Sequence, residues 1–155
     1  MARLLVDGES PREPGTEQFE LSGWVDTAPF EDLLGLTIES AAGGEAVLSL
    51  PFVVRLAQGA GLLHGGALTA LADTAVAMAI KSLLPPGTAF ATIELTTRFL
   101  APVLSGRVVA RARVHAPVGR TFHGEARLED AVGREVARFT SIFRVAKGQG
   151  FDEES

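Results

Sequence analysis

The sequence predicts an α+β domain in which one long helix packs against a single antiparallel sheet. Two observations support this prediction. Apolar residues between Leu68 and Leu83 recur at helical spacing. Four segments of strand-like composition follow, and no second helical pattern appears among them. The helix is also rich in alanine, and small side chains would let a curved sheet approach and wrap it closely.

A short helix and a hairpin precede the long helix. Residues 27–35 predict the short helix, which Asp26 or Thr27 would cap and Gly35 would end. An Ala-Ala-Gly-Gly turn then joins two predicted strands. These strands are residues 36–40 and 45–50.

The strands after the long helix form the rest of the predicted sheet. Pro85-Pro86-Gly87 ends the helix before they begin. In the second of them, valine and alanine alternate with arginine and histidine, so one face is buried and the other is solvated. The four predicted strands are residues 89–101, 107–116, 121–130 and 135–146.

The length of 155 residues corresponds to about one domain. Residues 1–25 are polar, acidic and without a period, so we expect a flexible N-terminal arm. Residues 26–147 form the predicted folded domain. Residues 148–155 are expected to be a flexible tail.

The composition excludes several classes of protein. No apolar run is long enough to span a membrane, and the acidic N-terminus does not resemble a secretory signal, so we expect a cytoplasmic protein. The absence of cysteine excludes disulfides and thiol catalysis, and three widely spaced histidines argue against a zinc site. We therefore expect no metal and no cofactor. The net charge of −5 argues against nucleic-acid binding.

The basic residues are unevenly distributed. Ten of the fourteen lie after residue 97. The surface formed by the C-terminal half would suit a compact anionic ligand. The alternative is that these residues form a solvated, charged face of the sheet.

The helix begins at a His-Gly-Gly sequence. Gly65 and Gly66 lie where backbone N–H groups have no partner within the helix and where the macrodipole is positive. Glycine lets a ligand atom approach this backbone, so Gly65 and Gly66 could bind an anion or a developing oxyanion. A loop-to-helix transition that needs glycine is the alternative.

Asp73 is unexpected in this apolar helix. Five residues of rotation from Leu68 place it at the border of the buried stripe. No lysine or arginine occupies positions 69, 70, 76 or 77, so no partner lies one turn away. Asp73 is therefore a candidate base or nucleophile with a raised pKa. Pairing with an arginine from the sheet is the alternative.

Gly65 and Asp73 are eight residues apart, which is about 12 Å along a helix. They cannot act on one carbonyl within one chain. If both act on one substrate, each site must combine Gly65 of one copy with Asp73 of another, as in a two-fold dimer with antiparallel helices.

The segment GLLHGGALTALADTAVAMA, with the short helix before it and four strands after it, resembles the hotdog-fold acyl-CoA thioesterases of the phenylacetate-degradation (PaaI) type. The resemblance covers roughly residues 30–145. It implies a hotdog fold, hydrolysis of aryl or medium-chain acyl-CoA, and a homodimer that pairs further into a dimer of dimers. Coenzyme A would then enter as part of the substrate.

The resemblance also implies roles for individual residues. The Gly65 N–H would polarise the thioester carbonyl, and Asp73 would attack it or activate a water molecule. Gln58 would assist, although the aspartate-bearing branch usually has asparagine there. His64 would support the loop. Thr92 would place the water, with an ordinary strand threonine as the alternative.

Further residues are expected around the substrate. Gly66 would lie beside Gly65, and Arg98 and Arg120 would bind the phosphates of coenzyme A. His115 and His123 alternate with charged residues and are expected to be solvated. The expected acyl site is bordered by Phe30, Leu33, Leu34, Leu62, Leu63 and Met78.

Two other functions fit a hotdog domain. One is an acyl-CoA-binding sensor without catalysis, which normally needs an output domain that residues 1–25 are too short to form. The other is a dehydratase or hydratase, which would require His64 to pair with an acid.

Overall fold

The computed structural model describes residues 1–149. Its elements confirm the predicted α+β class, and each helix and strand predicted above is present within a few residues of its expected bounds. In chain order they are β1 (Arg3–Leu4), β2 (Phe19–Glu20), α1 (Pro29–Leu34), β3 (Thr37–Ala42), β4 (Glu45–Pro51), a 3-10 helix (Val54–Leu56), α2 (Gly65–Lys81), β5 (Phe90–Phe99), β6 (Arg107–Val114), β7 (Thr121–Glu129) and β8 (Glu135–Val145).

Strands β3 to β8 form one six-stranded sheet in the order β3-β4-β6-β7-β8-β5. All neighbouring strands are antiparallel. After β4 and α2 the chain passes to the opposite edge of the sheet, where β5 is the edge strand. Strand β5 therefore has one hydrogen-bonded neighbour, β8. The outer side of β5 is thus open to a further strand.

The helix α2 lies on one face of this sheet and buries it. In β6 the residues Val108, Ala110 and Ala112 are buried, and Arg111 and Arg113 are exposed, as the alternation predicts. The largest fully buried side chains come from the helix and the facing strands. They include Phe122, Phe139, Leu48, Leu50, Leu71, Ile80 and Leu128.

The helix and the sheet approach each other very closely. Ala72, Ala75 and Ala79 are completely buried on the side of α2 that faces the strands. Gly124 in β7 lies directly against Val76, and a Cβ atom at position 124 would stand 2.3 Å from Val76 Cγ1. Small residues on both sides therefore set the distance between the two layers.

The short helix ends at Gly35 as predicted, but the start of α1 and the end of α2 differ from the predictions in detail. Asp26 and Thr27 do not cap α1, which begins after Ala28 without a side-chain cap. Asp26 instead accepts hydrogen bonds from the backbone N–H groups of Ser22 and Thr27, both at 2.8 Å. The long helix ends at Lys81, ahead of the Pro-Pro-Gly sequence.

The N-terminal segment, which we expected to be a flexible arm, makes contacts with itself and with the folded domain. Its flexibility stays a prediction. Strands β1 and β2 pair as a separate two-stranded ribbon, and the Met1 amino group pairs with Asp26. The indole N–H of Trp24 donates to the Lys81 carbonyl oxygen at 2.9 Å. Two-residue strands are too short to produce a periodic pattern, which is why the sequence did not reveal them.

The predicted C-terminal tail lies largely outside the described residues. Within the described part, the Gln149 side chain accepts a hydrogen bond from Ala89 N at 2.7 Å. The expected domain boundary at residue 147 stays a prediction. Among residues 1–149, no helix combines the length and the hydrophobicity needed to cross a lipid bilayer.

We expect Gly124→Ala to destabilise the fold by about 1–3 kcal/mol, because the added methyl overpacks the contact with Val76. Chemical denaturation of Gly124→Ala, Val76→Ala and the double variant measures this. The double variant should lose less stability than the sum of the two single variants. Additive losses would show that the two positions do not limit the approach of the layers.

Candidate active site

One face of α2 is left partly uncovered by the sheet. It carries residues at four-residue spacing, each only partly buried, whereas the opposite face is buried. These five residues are Gly65, Thr69, Asp73, Ala77 and Lys81. Because residues four apart lie on one side of a helix, Gly65 and Asp73 project from the same face.

Asp73 is a half-buried carboxylate on this face. The hydroxyl of Thr92 donates to Asp73 Oδ1 at 2.8 Å, and Asp73 forms no ion pair within residues 1–149. The alternative of an arginine partner from the sheet is therefore wrong for this part of the chain. Burial raises the pKa of Asp73, and the hydrogen bond from Thr92 partly opposes this rise.

Asp73 opens into a cavity of about 390 Å³ between α2 and the first part of β5. Thr92 lies in the same cavity, so the structure brings these two predicted residues together. Sequence reasoning missed Trp24, Glu31 and Lys81. The full lining is Trp24, Glu31, Asp73, Thr74, Ala77, Lys81, Thr88, Ala89, Phe90, Ala91, Thr92 and Phe143.

The sequence contains a signal for one of these three residues, Lys81. Lys81 stands eight residues after Asp73, two steps of four along the same helix face. It is too distant to form a local ion pair, but it shares a cavity with Asp73. Trp24 had no such signal, because its contacts with α2 join residues 57 positions apart.

The first turn of α2 presents a backbone N–H group without an internal acceptor. His64 Nδ1 accepts a hydrogen bond from Gly66 N at 2.7 Å and caps the helix. The Gly66 N–H is thus occupied and not free for a ligand, contrary to its predicted role. Within residues 1–149, the Gly65 N–H has no recorded protein acceptor. His64 is exposed and forms no ion pair with a carboxylate among residues 1–149.

Gly65 lines a second cavity, of about 360 Å³. Gln58 lies in this cavity with Gly65, and its side-chain oxygen accepts a hydrogen bond from the backbone of Ala60. The ring of Phe99 covers Gly65, since a Cβ at position 65 would stand 2.9 Å from Phe99 Cζ. The lining is Gln58, Leu62, Leu63, Gly65, Leu68, Phe99, Leu100, Ala101, Pro102 and Val103.

The predicted site residues thus fall into two groups within one chain. Gln58 and Gly65 line one cavity, and Asp73 and Thr92 line the other. The helix is continuous from Gly65 to Lys81, so Gly65 and Asp73 lie about 12 Å apart along its axis. One chain therefore presents two incomplete halves of the predicted site.

Several residues predicted to contact the acyl group lie elsewhere. Met78 is 3% exposed and belongs to the core under the sheet. Phe30 is 57% exposed on α1 and lines neither cavity. Leu63 lines the Gly65 cavity as expected, although most of its surface is buried. Nearness in sequence and side-chain size favour Met78 and Phe30 as acyl contacts, but neither indicates the direction of a side chain on its helix.

Arg98 and Arg120 do not lie together. Arg98 pairs in register with Arg138 near one end of β5, whereas Arg120 donates to the Val145 carbonyl oxygen, opposite the other end. The eight residues between these ends of β5 span roughly 26 Å. Within one chain the two arginines cannot bind the same phosphate group.

The arginines on the outer face of the sheet mostly have glutamate partners. Arg113 pairs with Glu125 at 2.7 Å, and Arg111 lies 3.9 Å from Glu129. These contacts favour the interpretation of the basic segment as a solvated charged face. His115 and His123 are exposed, as expected. In residues 1–149 no three histidine or acidic side chains are grouped so that they could hold a metal ion.

Comparisons with solved structures identify the fold. The PaaI protein of the phenylacetic acid degradation operon of Escherichia coli superposes with a TM-score of 0.71 and 27% identity, over 79% of this chain and 87% of that one. A variant of the phenylacetic acid degradation protein PaaI of Thermus thermophilus superposes with a TM-score of 0.68 and 33% identity, over 76% and 99% of the two chains. The predicted hotdog fold and the PaaI-like resemblance are confirmed.

Sequence comparison identifies the family. A protein of Halobacterium salinarum, whose name assigns it provisionally to the esterases, is 35% identical over 138 residues, 81% of this chain and 89% of its own length. The thioesterase superfamily model matches residues 60–137, which include both Gly65 and Asp73. This family supports thioester hydrolysis as the general chemistry. The chain belongs to the thioesterase superfamily.

Proposed function

We propose that this protein hydrolyses acyl-CoA thioesters carrying aryl or medium-length acyl groups, with Asp73 of one protomer and the Gly65 N–H of another at each site. The observation that supports this most directly is Asp73 itself. It is half-buried, has no ion pair among the described residues, and has a raised pKa. A solvated surface carboxylate would show neither the burial nor the raised pKa.

In the proposed reaction the Gly65 N–H donates to the thioester carbonyl oxygen, which becomes an oxyanion in the transition state. A single preorganised donor of this kind contributes roughly 3–4 kcal/mol. Asp73 attacks the carbonyl carbon or removes a proton from the attacking water. The C–S bond then breaks, and coenzyme A leaves as a thiolate that takes up a proton. Where water attacks, this step gives the free acid directly. Where Asp73 attacks, it gives a mixed anhydride on Asp73, which a water molecule hydrolyses to the free acid and the regenerated carboxylate.

Thr92 orients the attacking group in this proposal. Its hydroxyl donates to Asp73 Oδ1, which leaves the other carboxylate oxygen to face the substrate or water. The same hydrogen bond favours the ionised form of Asp73 against the effect of burial. No metal or cofactor is required by these steps.

A two-fold dimer would complete the two half-sites. The edge strand β5 exposes Ile93, Leu95 and Phe99, and an exposed apolar edge strand normally pairs with another chain. The partly uncovered face of α2 carries Gly65 and Asp73 next to this edge. Antiparallel pairing of two copies would place each Gly65 near the other chain's Asp73. A pairing of dimers into tetramers remains part of the proposal.

The coenzyme A moiety would approach each site along the protomer that supplies Gly65. Arg98 precedes Phe99, which covers Gly65, and Arg98 has no ion pair among residues 1–149. It is therefore the better of the two predicted arginines for a phosphate of coenzyme A. Arg120, at the opposite end of β5, is a poorer candidate.

We expect Asp73→Asn to lower kcat by about 10²–10⁴-fold, because the reaction loses its base or nucleophile. Thiol release from aryl, short-chain and long-chain acyl-CoAs, measured for both proteins, tests this. Glu45→Gln is a matched control, since it removes an exposed carboxylate on β4 far from both cavities. Absence of thiol release by the wild type from every substrate would refute the proposed function, and a near-normal kcat for Asp73→Asn would refute the role of Asp73.

The same substitution should stabilise the fold at neutral pH. Burial raises the pKa of Asp73 above its unfolded value, so the folded state holds a proton more tightly than the unfolded state. The stability contribution of Asp73 is therefore largest below the unfolded pKa and falls as pH rises through the folded pKa. Thermal unfolding should give a higher midpoint for Asp73→Asn than for wild type at pH 7, with a gain that shrinks toward acidic pH. An equal or lower midpoint at pH 7 would contradict the desolvated state of Asp73.

We expect mixing of two inactive variants to restore activity. Gly65→Pro removes the N–H donor at the first helical position, where proline is tolerated, and Gly65→Ala retains that N–H as a matched control. Refolding Gly65→Pro with Asp73→Asn in equal amounts would leave one intact site in each mixed dimer, so about a quarter of wild-type activity should return. No recovery, with mixed dimers verified by mass spectrometry, would show that each site lies within one chain.

A further inference from the structure

At the end of the Asp73 cavity nearest the last turn of α2, the N-terminal segment contacts the helix. The Trp24 indole N–H donates to the Lys81 carbonyl oxygen at 2.9 Å. In return, Lys81 Nζ donates to the Trp24 carbonyl oxygen at 3.0 Å. The Lys81 ammonium also lies 4.6 Å from the centre of the Trp24 ring. Three interactions thus fix the indole at this end, which we call the Trp24–Lys81 clasp.

The rest of the cavity runs from Asp73 toward this clasp. Asp73, Ala77 and Lys81 follow one another at four-residue spacing on α2 and form one wall. Asp73 and Lys81 are about 12 Å apart along the axis, with only the methyl group of Ala77 between them. This leaves an elongated space beside the helix.

The opposite wall comes from the sheet. Phe90, Ala91 and Thr92 at the start of β5 line it, with Phe143 behind them. The rings of Phe90 and Phe143 are in contact, with centroids 5.9 Å apart. Together with Trp24 they give the cavity three aromatic rings, which suits an apolar ligand group.

The charges in the cavity indicate which part of the substrate enters it. Asp73, Glu31 and the Lys81 ammonium all line it. The ammonium is already engaged by the Trp24 carbonyl oxygen and ring, so the excess of two carboxylates over one ammonium disfavours the phosphates of coenzyme A. The acyl group carries no phosphate. The acyl group is therefore the part of an acyl-CoA that fits here, while the coenzyme extends toward the Gly65 cavity of the other protomer.

We propose that Trp24 is a specificity-determining residue whose indole forms the end wall of the acyl cavity and limits the length of the acyl group that can be hydrolysed. This inference depends on the proposed thioesterase function and states which lengths of acyl group that activity accepts. Lys81 acts as a positioning residue, because it touches the indole and holds it across the cavity. An aryl or short acyl group would end against the ring, and a long chain would collide with it.

Binding can be tested without turnover. Trp24 is the single tryptophan and the sequence has no tyrosine, so intrinsic fluorescence reports on this wall alone. In Asp73→Asn, which should leave the thioester intact, phenylacetyl-CoA or hexanoyl-CoA should change the emission of Trp24 saturably. Free coenzyme A at the same concentrations should change it much less. Equal responses to acyl-CoA and free coenzyme A would overturn the placement of the acyl group beside Trp24.

Selectivity is tested with a series of straight-chain acyl-CoAs from four to sixteen carbons. Trp24→Ala should raise the ratio of kcat/KM for long chains to kcat/KM for short chains by roughly tenfold or more, chiefly through KM, because the end wall is removed. Trp24→Phe should retain most of the wild-type ratio. Lys81→Met, which keeps an apolar stem but loses the ammonium, should shift the ratio in the same direction as Trp24→Ala by a smaller factor.

Phe19→Ala is the matched control for a general effect on the N-terminal segment. It removes an aromatic ring from β2 that lines neither cavity, and it should leave the chain-length ratio unchanged. An unchanged ratio in Trp24→Ala, or an equal shift in Phe19→Ala, would overturn the proposal. If wild type releases no thiol from any acyl-CoA, the proposed function fails, and the fluorescence titration still decides whether acyl groups bind beside Trp24.

Discussion

The packing of α2 on the sheet determines where chemistry can occur in this chain. Alanines and Gly124 bring the two layers so close that the sheet side of the helix has no room for a ligand. A carboxylate can be accommodated only on the helix face that the sheet leaves partly uncovered. Asp73 lies on that face, at a position where burial is sufficient to raise its pKa and Thr92 can still donate a hydrogen bond.

The strand order has a similar consequence for the other half of the site. After α2 the chain continues into β5, which is an edge strand of the sheet. The uncovered face of the helix therefore lies beside a strand whose outer side has no hydrogen-bonded neighbour among the described residues. The Gly65 N–H and the Asp73 carboxylate are therefore both close to the surface where a second copy can pair. In the proposed dimer, this arrangement explains why Gly65 and Asp73 line two separate cavities of a single chain.

Local patterns in the sequence predicted much of this arrangement. Helical spacing located α2, alternation located the strands, and the poor fit of an aspartate in an apolar helix identified Asp73. The contacts of Trp24 could not be predicted in this way, because they join residues that are distant in sequence and depend on how the N-terminal segment crosses the end of α2. Met78 was placed wrongly for a related reason, since a helical period gives the relative direction of side chains but not which face meets the sheet.

The energetics of Asp73 favour a functional explanation over a structural one. A half-buried carboxylate whose pKa is raised costs stability at neutral pH, and among residues 1–149 no cation lies near enough to offset this cost through an ion pair. An uncharged residue at position 73 would pack in the same space with less desolvation. In a thioesterase-family chain, a base or nucleophile gains reactivity from the same desolvation that makes it costly to the fold.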